Sequence, residues 1–426
     1  MARVVVIGAG VMGLAAAYYA LKAGHEVTVL EAAPEAGGMA AHFDLAGVSI
    51  ERFYHFVCKA DQPTFDLLAE LHLEHAMRWV PTSMGYYCDG KLHAWGDPIS
   101  LMKFPALSFL EKIRYGTMML SATRRRRWSS LEQLSAREWI SAWCGNSVYE
   151  RLWAPLFRFK FHEHADRVSA AWLWARIKRA GTSRRSIFQE ELGYIEGGSE
   201  TLVHALARAI AQDRGTLRLA TPAERVEVRQ GAATGVIAAG CTYPAESVIS
   251  TVPTPLVSRL VPDLAPDEHA RYDAITSLGV VCVVLRLKRS ASPHFWINIS
   301  DSRFDIPGIV EFSNLRPTGD AVVYIPYYMP ASHARFRSDD ASSRDQAFAL
   351  LKLVNPALGD GDLIASHVGR LRHAQPVCPP GFAATLPPVQ TSIRGLQIAD
   401  TCFYYPEDRS ISESVRLGKA MAGVIR

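Results

Sequence analysis

Three glycines near the start of the chain stand at a spacing suited to phosphate chemistry. Gly8-Ala9-Gly10-Val11-Met12-Gly13 has the form G-x-G-x-x-G, and Glu31 follows at the distance where an acid meets a ribose. Gly8 permits a tight turn, Gly10 lets backbone approach a pyrophosphate, and Gly13 lets a helix pack closely on its sheet. Ala9 and Met12 share the motif's backbone role at a helix N-terminus, whose free N–H groups favour anions. Glu31, with Ala32 beside it, accepts hydrogen bonds from ribose hydroxyls and repels a 2′-phosphate. A glycine-rich turn with no ligand has the same composition. The strand, helix, strand and acid around it favour an adenine dinucleotide.

Other residues suit proton transfer or anion recognition. Glu51-Arg52-Phe53-Tyr54-His55 puts His55, whose ordinary pKa lies near neutrality, beside two aromatics. His55 suits an acid/base role and equally a hydrogen-bonded core position; Tyr54 and Phe53 also suit plain packing. Arg409 suits a carboxylate or phosphate, while Asp408 or Glu413 suits the cap of a closing helix. Lys160 and Arg158 stand among Phe157, Phe159 and Phe161, so either a substrate cavity or solvent could receive them. Tyr324 and Tyr328 share one strand face and Tyr327 takes the other. His367 and His373 lack a partner at ligand spacing, and the seven cysteines form no CxxC pair, so no metal site is expected.

The elements that must position these groups follow from periodicity. Arg3–Ile7 predicts a buried parallel strand, 11–23 a helix and 26–31 a second strand. Residues 97–190 are rich in helix formers, with helices expected at 101–120, 130–143, 147–157 and 170–179. A helix is expected at 200–212, then strands at 217–219, 225–229, 233–238 and 247–251. Segments near 279–289, 295–299, 308–313 and 321–328 read as an antiparallel-rich sheet. A helix at 344–353, a strand at 395–399 and a helix at 412–424 follow. The expected fold class is α/β: a discontinuous Rossmann-like nucleotide domain with a substrate domain of antiparallel sheet and helical insertion. The nucleotide domain takes 1–75, 191–255 and 370–426. The insertion takes 76–190 and the sheet-containing region 256–369.

Composition narrows the class. The chain has 426 residues, 49% hydrophobic and 21% charged, with a net charge of +4. That small excess argues against nucleic acid, and the scattered cysteines with no leader before the first strand fit a cytoplasmic protein. The apolar run 4–21 is interrupted by glycines and reads as a βα unit rather than a span. Leu101–Arg127, which includes the run Arg124–Arg127, mixes apolar and basic residues; core packing and peripheral membrane contact both fit. Oligomeric state is left open.

Glu31 is followed by Ala32-Ala33-Pro34-Glu35-Ala36-Gly37-Gly38, which resembles the acidic-x5-Gly-Gly extension of glutathione-reductase-like flavoproteins. Tyr194–Leu202, Val226-Glu227-Val228, Glu246–Thr251, Gly395–Asp400 and Ser414–Ala420 resemble successive motifs of the amine oxidase and protoporphyrinogen oxidase (HemY-like) superfamily. The resemblance implies FAD as cofactor, with Gly37 and Gly38 turning under the pyrophosphate and Val226 facing adenine. It implies Asp400, Ser414 and Val415 near the ribityl and pyrimidine end. It places Arg52, Tyr54 and His55 beside the isoalloxazine, with Arg52 suited to charge on the reduced ring. Met39 follows the glycine pair, where many amine oxidases carry arginine, and Ala399 precedes Asp400 where many members carry glycine. The implied function is an FAD-dependent oxidoreductase that takes hydride from a small-molecule, sugar-linked or lipid-linked amine, alcohol or C–C substrate. The alternatives are chemistry without net redox, resembling UDP-galactopyranose mutase with its tyrosine-rich loop (Tyr404-Tyr405), and a non-catalytic flavin-bound interaction protein.

Overall fold

The β-branched run Arg3–Ile7 is the middle strand of a five-stranded parallel sheet in this computed structural model, which describes residues 1–425. Glu26–Leu30 and Ser247–Ser250 flank it, and Thr216–Arg218 and Leu396–Ile398 lie outermost. The sheet therefore gathers segments from the beginning, middle and end of the chain. Val11–Lys22 packs on it as a helix buried nearly all round, which explains the long apolar run without any membrane. No helix among the described residues is long and apolar enough to cross one. The final helix, Ile411–Ala422, lies close against the first. A Cβ at Gly418 would stand 2.5 Å from the Met12 carbonyl oxygen, so glycine is what permits the approach.

The second sheet has seven strands in the order Leu363–Pro376, Ser277–Leu287, Ala321–Met329, Gly308–Glu311, Trp296–Ser300, Met84–Cys88 and Lys91–Trp95. Its pairings are antiparallel except that of Trp296–Ser300 with Met84–Cys88. The 14-residue strand Leu363–Pro376 was not expected, because its mixed polar sequence hides an edge strand that is mostly half-buried. Strands also occupy both ends of the stretch expected to be helical. Met77–Thr82 pairs with Gln189–Ile195, and the hairpin Met84–Trp95 joins the large sheet. Their Trp, Tyr and Val content favours strands.

Helices are confined to Pro98–Thr182 of that stretch. The helix expected at 101–120 is two, Pro98–Lys103 and Phe109–Arg124, because Pro105 cannot continue the first. A capping box between Ser108 and Glu111 starts the second. Its inner face buries Tyr115, Met118 and Ala122, while Phe109 and Leu110 are 69% and 65% exposed. Core packing thus accounts for only one side of this helix.

Candidate active site

The nucleotide cradle is built by close backbone contacts. Gly8 has φ +101°, and a Cβ there would lie 2.5 Å from Thr251 Oγ1. A Cβ at Gly13 would lie 1.9 Å from the carbonyl oxygen of Gly8. Gly10 is extended, and a Cβ there would meet nothing within 4 Å. Packing therefore demands the outer two glycines, while the middle one borders open room. No side chain caps the helix that begins after Gly10, so its first-turn amides have no side-chain acceptor. Glu31 Oε2 accepts from Ala9 N–H at 2.6 Å and Oε1 from Ala33 N–H at 2.8 Å. A carboxylate has about four acceptor sites, so lone pairs remain for ribose hydroxyls. Gly37 donates its N–H to the Ala9 carbonyl at 2.8 Å, and a Cβ at Gly38 would be 3.1 Å from Gly10 Cα. Ala32 is exposed beside Glu31, and Met39 lies half-buried in the short turn Gly38–Ala40. Val226 is buried on Ala223–Arg229, an outer strand of a three-stranded sheet, so one row of its strand's backbone groups is unpaired within that sheet.

The sequence profile of the family described as flavin containing amine oxidoreductase matches residues 12–362. The chain belongs to that family. A Mycobacterium tuberculosis protein named as a flavin-containing monoamine oxidase is 25% identical over 286 residues, a match covering 64% of this chain and 61% of that protein. The chain thus spans about three fifths of that relative's length. An Exiguobacterium structure described as a protoporphyrinogen oxidase superposes with a TM-score of 0.76 at 20% identity, covering 99% of this chain and 98% of that one. Reduced UDP-galactopyranose mutase superposes with a TM-score of 0.75 at 15% identity, covering 99% and 95%. The family match gives this chain a flavin cofactor, FAD. The cradle fits it: open room at Gly10, uncapped helix amides, and an acid with acceptor sites left over.

Beyond the cradle, a buried ionic network holds the segment that leads to His55. Glu51 ends the strand Ser49–Glu51 and is 2% exposed. Its Oε2 accepts from Arg316 Nη1 at 2.8 Å, and Oε1 accepts from Ser199 N–H at 3.2 Å, at the start of the helix Ser199–Gln212. His42 Nε2 is 3.6 Å away, beyond hydrogen-bonding reach, so Arg316 supplies the direct charge contact. Burial pushes the Glu51 carboxyl up, but His42 and Arg316 pull it further the other way, and it stays ionised. Tyr324 donates to the Glu51 carbonyl at 2.6 Å.

His55 follows, half-buried and surrounded by protein atoms. Its Nδ1 has no partner among the described residues. Burial lowers its pKa to about 4. The unfolded chain binds this proton below about pH 6.5 and the folded chain only near pH 4. The stability held by neutral His55 is thus present above pH 6.5 and lost as the pH falls toward 4. At pH 5 the loss is about 2 kcal/mol relative to pH 7.5. His55→Phe is expected to remove that increment from urea unfolding compared at the two pH values; unchanged acid sensitivity would exclude the buried neutral imidazole.

Tyr54 meets Trp296 and Tyr324 edge-on, with ring centroids 5.6 and 5.7 Å away. Burial raises its phenol, and Arg176 and Arg409 act on it electrostatically. Arg409 donates to the Ala374 carbonyl and to Tyr328 Oη at 3.4 Å, while its Nε and Asp408 Oδ1 lack hydrogen-bond partners. Arg176, which sequence reasoning did not single out, pairs with Asp408. Its signal was Trp172 one helical turn earlier, a spacing that puts both on one face. Lys160 turns inward and Arg158 stays at the surface with Glu150.

Several expected roles shift. The final helix is capped by Ser410, which accepts from Glu413 N–H at 3.1 Å, and not by Asp408 or Glu413. Because the helix starts at Ile411, the amide of Ser414 is bonded to the Ser410 carbonyl at 3.1 Å and Val415 packs in the core. The amides open to a ligand are those of Ile411 and Ser412. Asp400 accepts from Thr254 N–H at 2.7 Å and Cys402 N–H at 2.8 Å, which organises the loop and, as at Glu31, leaves acceptor sites of the carboxylate over. Arg52 pairs with Glu35 beside the glycine turn and is not a free cation. The Tyr404 and Tyr405 hydroxyls are bonded to Ser414 at 2.8 Å and Glu132 at 2.6 Å. Two surface clefts of about 480 and 370 Å³ lie on the helical region and contain no cradle residue.

Proposed function

We propose that this enzyme oxidises a small molecule held between Glu51–His55 and the turn before the final helix. The bond oxidised is the C–H of an amine, an alcohol or a C–C pair, on a free molecule or one carried by a sugar or lipid. The observation that supports this most is the convergence of Tyr328, Arg176 and Arg409 on Tyr54, the residue before His55. Bound FAD supplies the hydride acceptor, N5 of its ring. His55, neutral at working pH, takes a proton from the substrate heteroatom. Tyr54 walls the site, and Arg409 orients the substrate. Anaerobic mixing of the flavin-loaded protein with amines and sugar-linked alcohols tests this by loss of the yellow absorbance. One class is expected to bleach it, and His55→Gln to slow bleaching by about 10²–10⁴-fold. Bleaching by dithionite alone would reject the proposal.

A second reading, without net redox, draws support from two arginines in the region and from the likeness to UDP-galactopyranose mutase. Turnover of a nucleotide-linked sugar only after dithionite reduction would select it. A non-catalytic flavin-bound role would show as bleaching by no substrate class and no turnover after reduction.

Peripheral membrane contact also remains a proposal, now carried by one helix face. Phe109, Leu110, Ile113 and Leu120 are exposed, and exposed Lys103, Arg124, Arg126 and Arg127 flank them. That arrangement suits an anionic bilayer surface. Vesicles containing phosphatidylglycerol are expected to sediment the protein at low salt, whereas phosphatidylcholine vesicles are not. Phe109→Glu with Leu110→Glu should abolish the effect; equal recovery in the supernatant with both lipids would remove the proposal.

A further inference from the structure

Three cations and one carboxylate meet in the interior beside Tyr54. Lys160 stands in the last turn of the helix Ala154–Phe161, and its Nζ stands 5.1 Å from the Trp172 ring, 5.2 Å from Tyr328 and 5.5 Å from Phe161. No carboxylate lies within ion-pair reach of it among the described residues, and it is half-buried among these rings. Arg176 lies 4.9 Å over the other neighbour of that cluster, Trp172, and pairs with Asp408. Arg409 reaches the same Tyr328, with Nε 3.9 Å from Asp408 Oδ1. The next arginine along, Arg179, is already answered by Asp61 at 2.6 Å. Lys160, Arg176 and Arg409, all half-buried, therefore share a single counter-ion, Asp408.

Uncompensated buried charge is costly, and a site retains it where a ligand completes the pairing. The surroundings add shape. Trp172, Tyr328, Phe161 and Tyr54 present flat apolar walls. Burial and the two arginines depress the Lys160 ammonium well below its ordinary pKa. A protonated amine entering here would meet like charge, whereas an anion would restore the lysine's charge and gain forked arginine contacts.

We propose that the substrate carries an anionic group, a carboxylate or a phosphate on a compact apolar body, held by Lys160, Arg176 and Arg409 against Trp172 and Tyr328. This deepens the oxidoreductase reading and rests on it for the word substrate, but the anion site itself is testable without turnover. The flavin-loaded protein, with loading checked by its absorbance, is titrated with benzoate, phenyl phosphate, benzylamine and benzyl alcohol. Tryptophan fluorescence and the flavin spectrum are the readouts. Saturable binding of benzoate or phenyl phosphate is expected, at least tenfold tighter than benzylamine or benzyl alcohol; whichever anion binds tighter identifies the group. Lys160→Met and Arg409→Gln should each weaken the anion at least tenfold, while Arg158→Met leaves it unchanged. If Arg409→Gln fails to load flavin, Lys160→Met decides alone. Benzylamine binding as tightly as the anions, or unchanged anion affinity in Lys160→Met, would overturn the site. Anion binding without bleaching by any substrate class would reject the oxidoreductase reading and leave this site standing.

Discussion

A Gly10→Val chain is expected to fold and to be colourless. Gly10 is extended, a conformation open to any residue, and a Cβ there has no protein atom within 4 Å. The folded protein should lose no more than about 1 kcal/mol, the scale of a changed helix cap. The added bulk instead fills the room in front of the uncapped amides of Val11, Met12 and Gly13. Flavin affinity should fall at least about a hundredfold, or about 2.7 kcal/mol. Gly13→Val makes the contrast, because its Cβ would be driven into the Gly8 carbonyl oxygen. That variant should fail at the level of folding. Circular dichroism and thermal unfolding of flavin-free protein, beside flavin absorbance after reconstitution, separate the two. A yellow Gly10→Val protein with wild-type affinity would mean that the phosphates lie elsewhere.

Glu51→Gln should cost about 3–5 kcal/mol, because it leaves the Arg316 guanidinium buried without its charge partner. For a chain of this size the apparent Tm should drop by roughly 3–6 °C. The double variant Glu51→Gln with Arg316→Met removes both charges and should recover much of the loss, giving a clear coupling in a double-mutant cycle. Additive losses would show that the ion pair is incidental. The damage should extend to function, since Glu51 is the residue on which Arg52–His55 hangs. Flavin content and the rate of bleaching should both fall before the global fold does.

The nucleotide cradle was legible because its constraints are local. Gly8, Gly10, Gly13 and Glu31 lie within one βαβ unit, and the clash that forces Gly13 comes from the Gly8 carbonyl five residues earlier, although the one at Gly8 comes from Thr251, far along the chain. The large sheet was legible where strands are apolar throughout, as in Ala321–Met329, and opaque at Leu363–Pro376, whose exposed edge lets polar residues alternate freely. The interior cations were half visible. The apolar company of Lys160 suggested an inward direction, but its nearness to Arg176, Tyr328 and Arg409 depends on three different elements. Likewise Glu51 and Arg316 are 265 residues apart, and no periodicity links them. The end of the chain misled for a simpler reason: two of its polar residues compete to begin the helix, and the structure chooses Ser410.

The parallel sheet has a consequence for how the protein is made. Its central strand is translated first and its last strand, Leu396–Ile398, almost four hundred residues later, followed by the helix that seats Gly418 on Met12. A nascent chain therefore exposes one flank of its phosphate loop until residues 396–422 have been made. Cofactor capture therefore waits on a segment made long after the loop it completes, and a chain cut short before the closing strand would keep that apolar flank exposed and prone to aggregate.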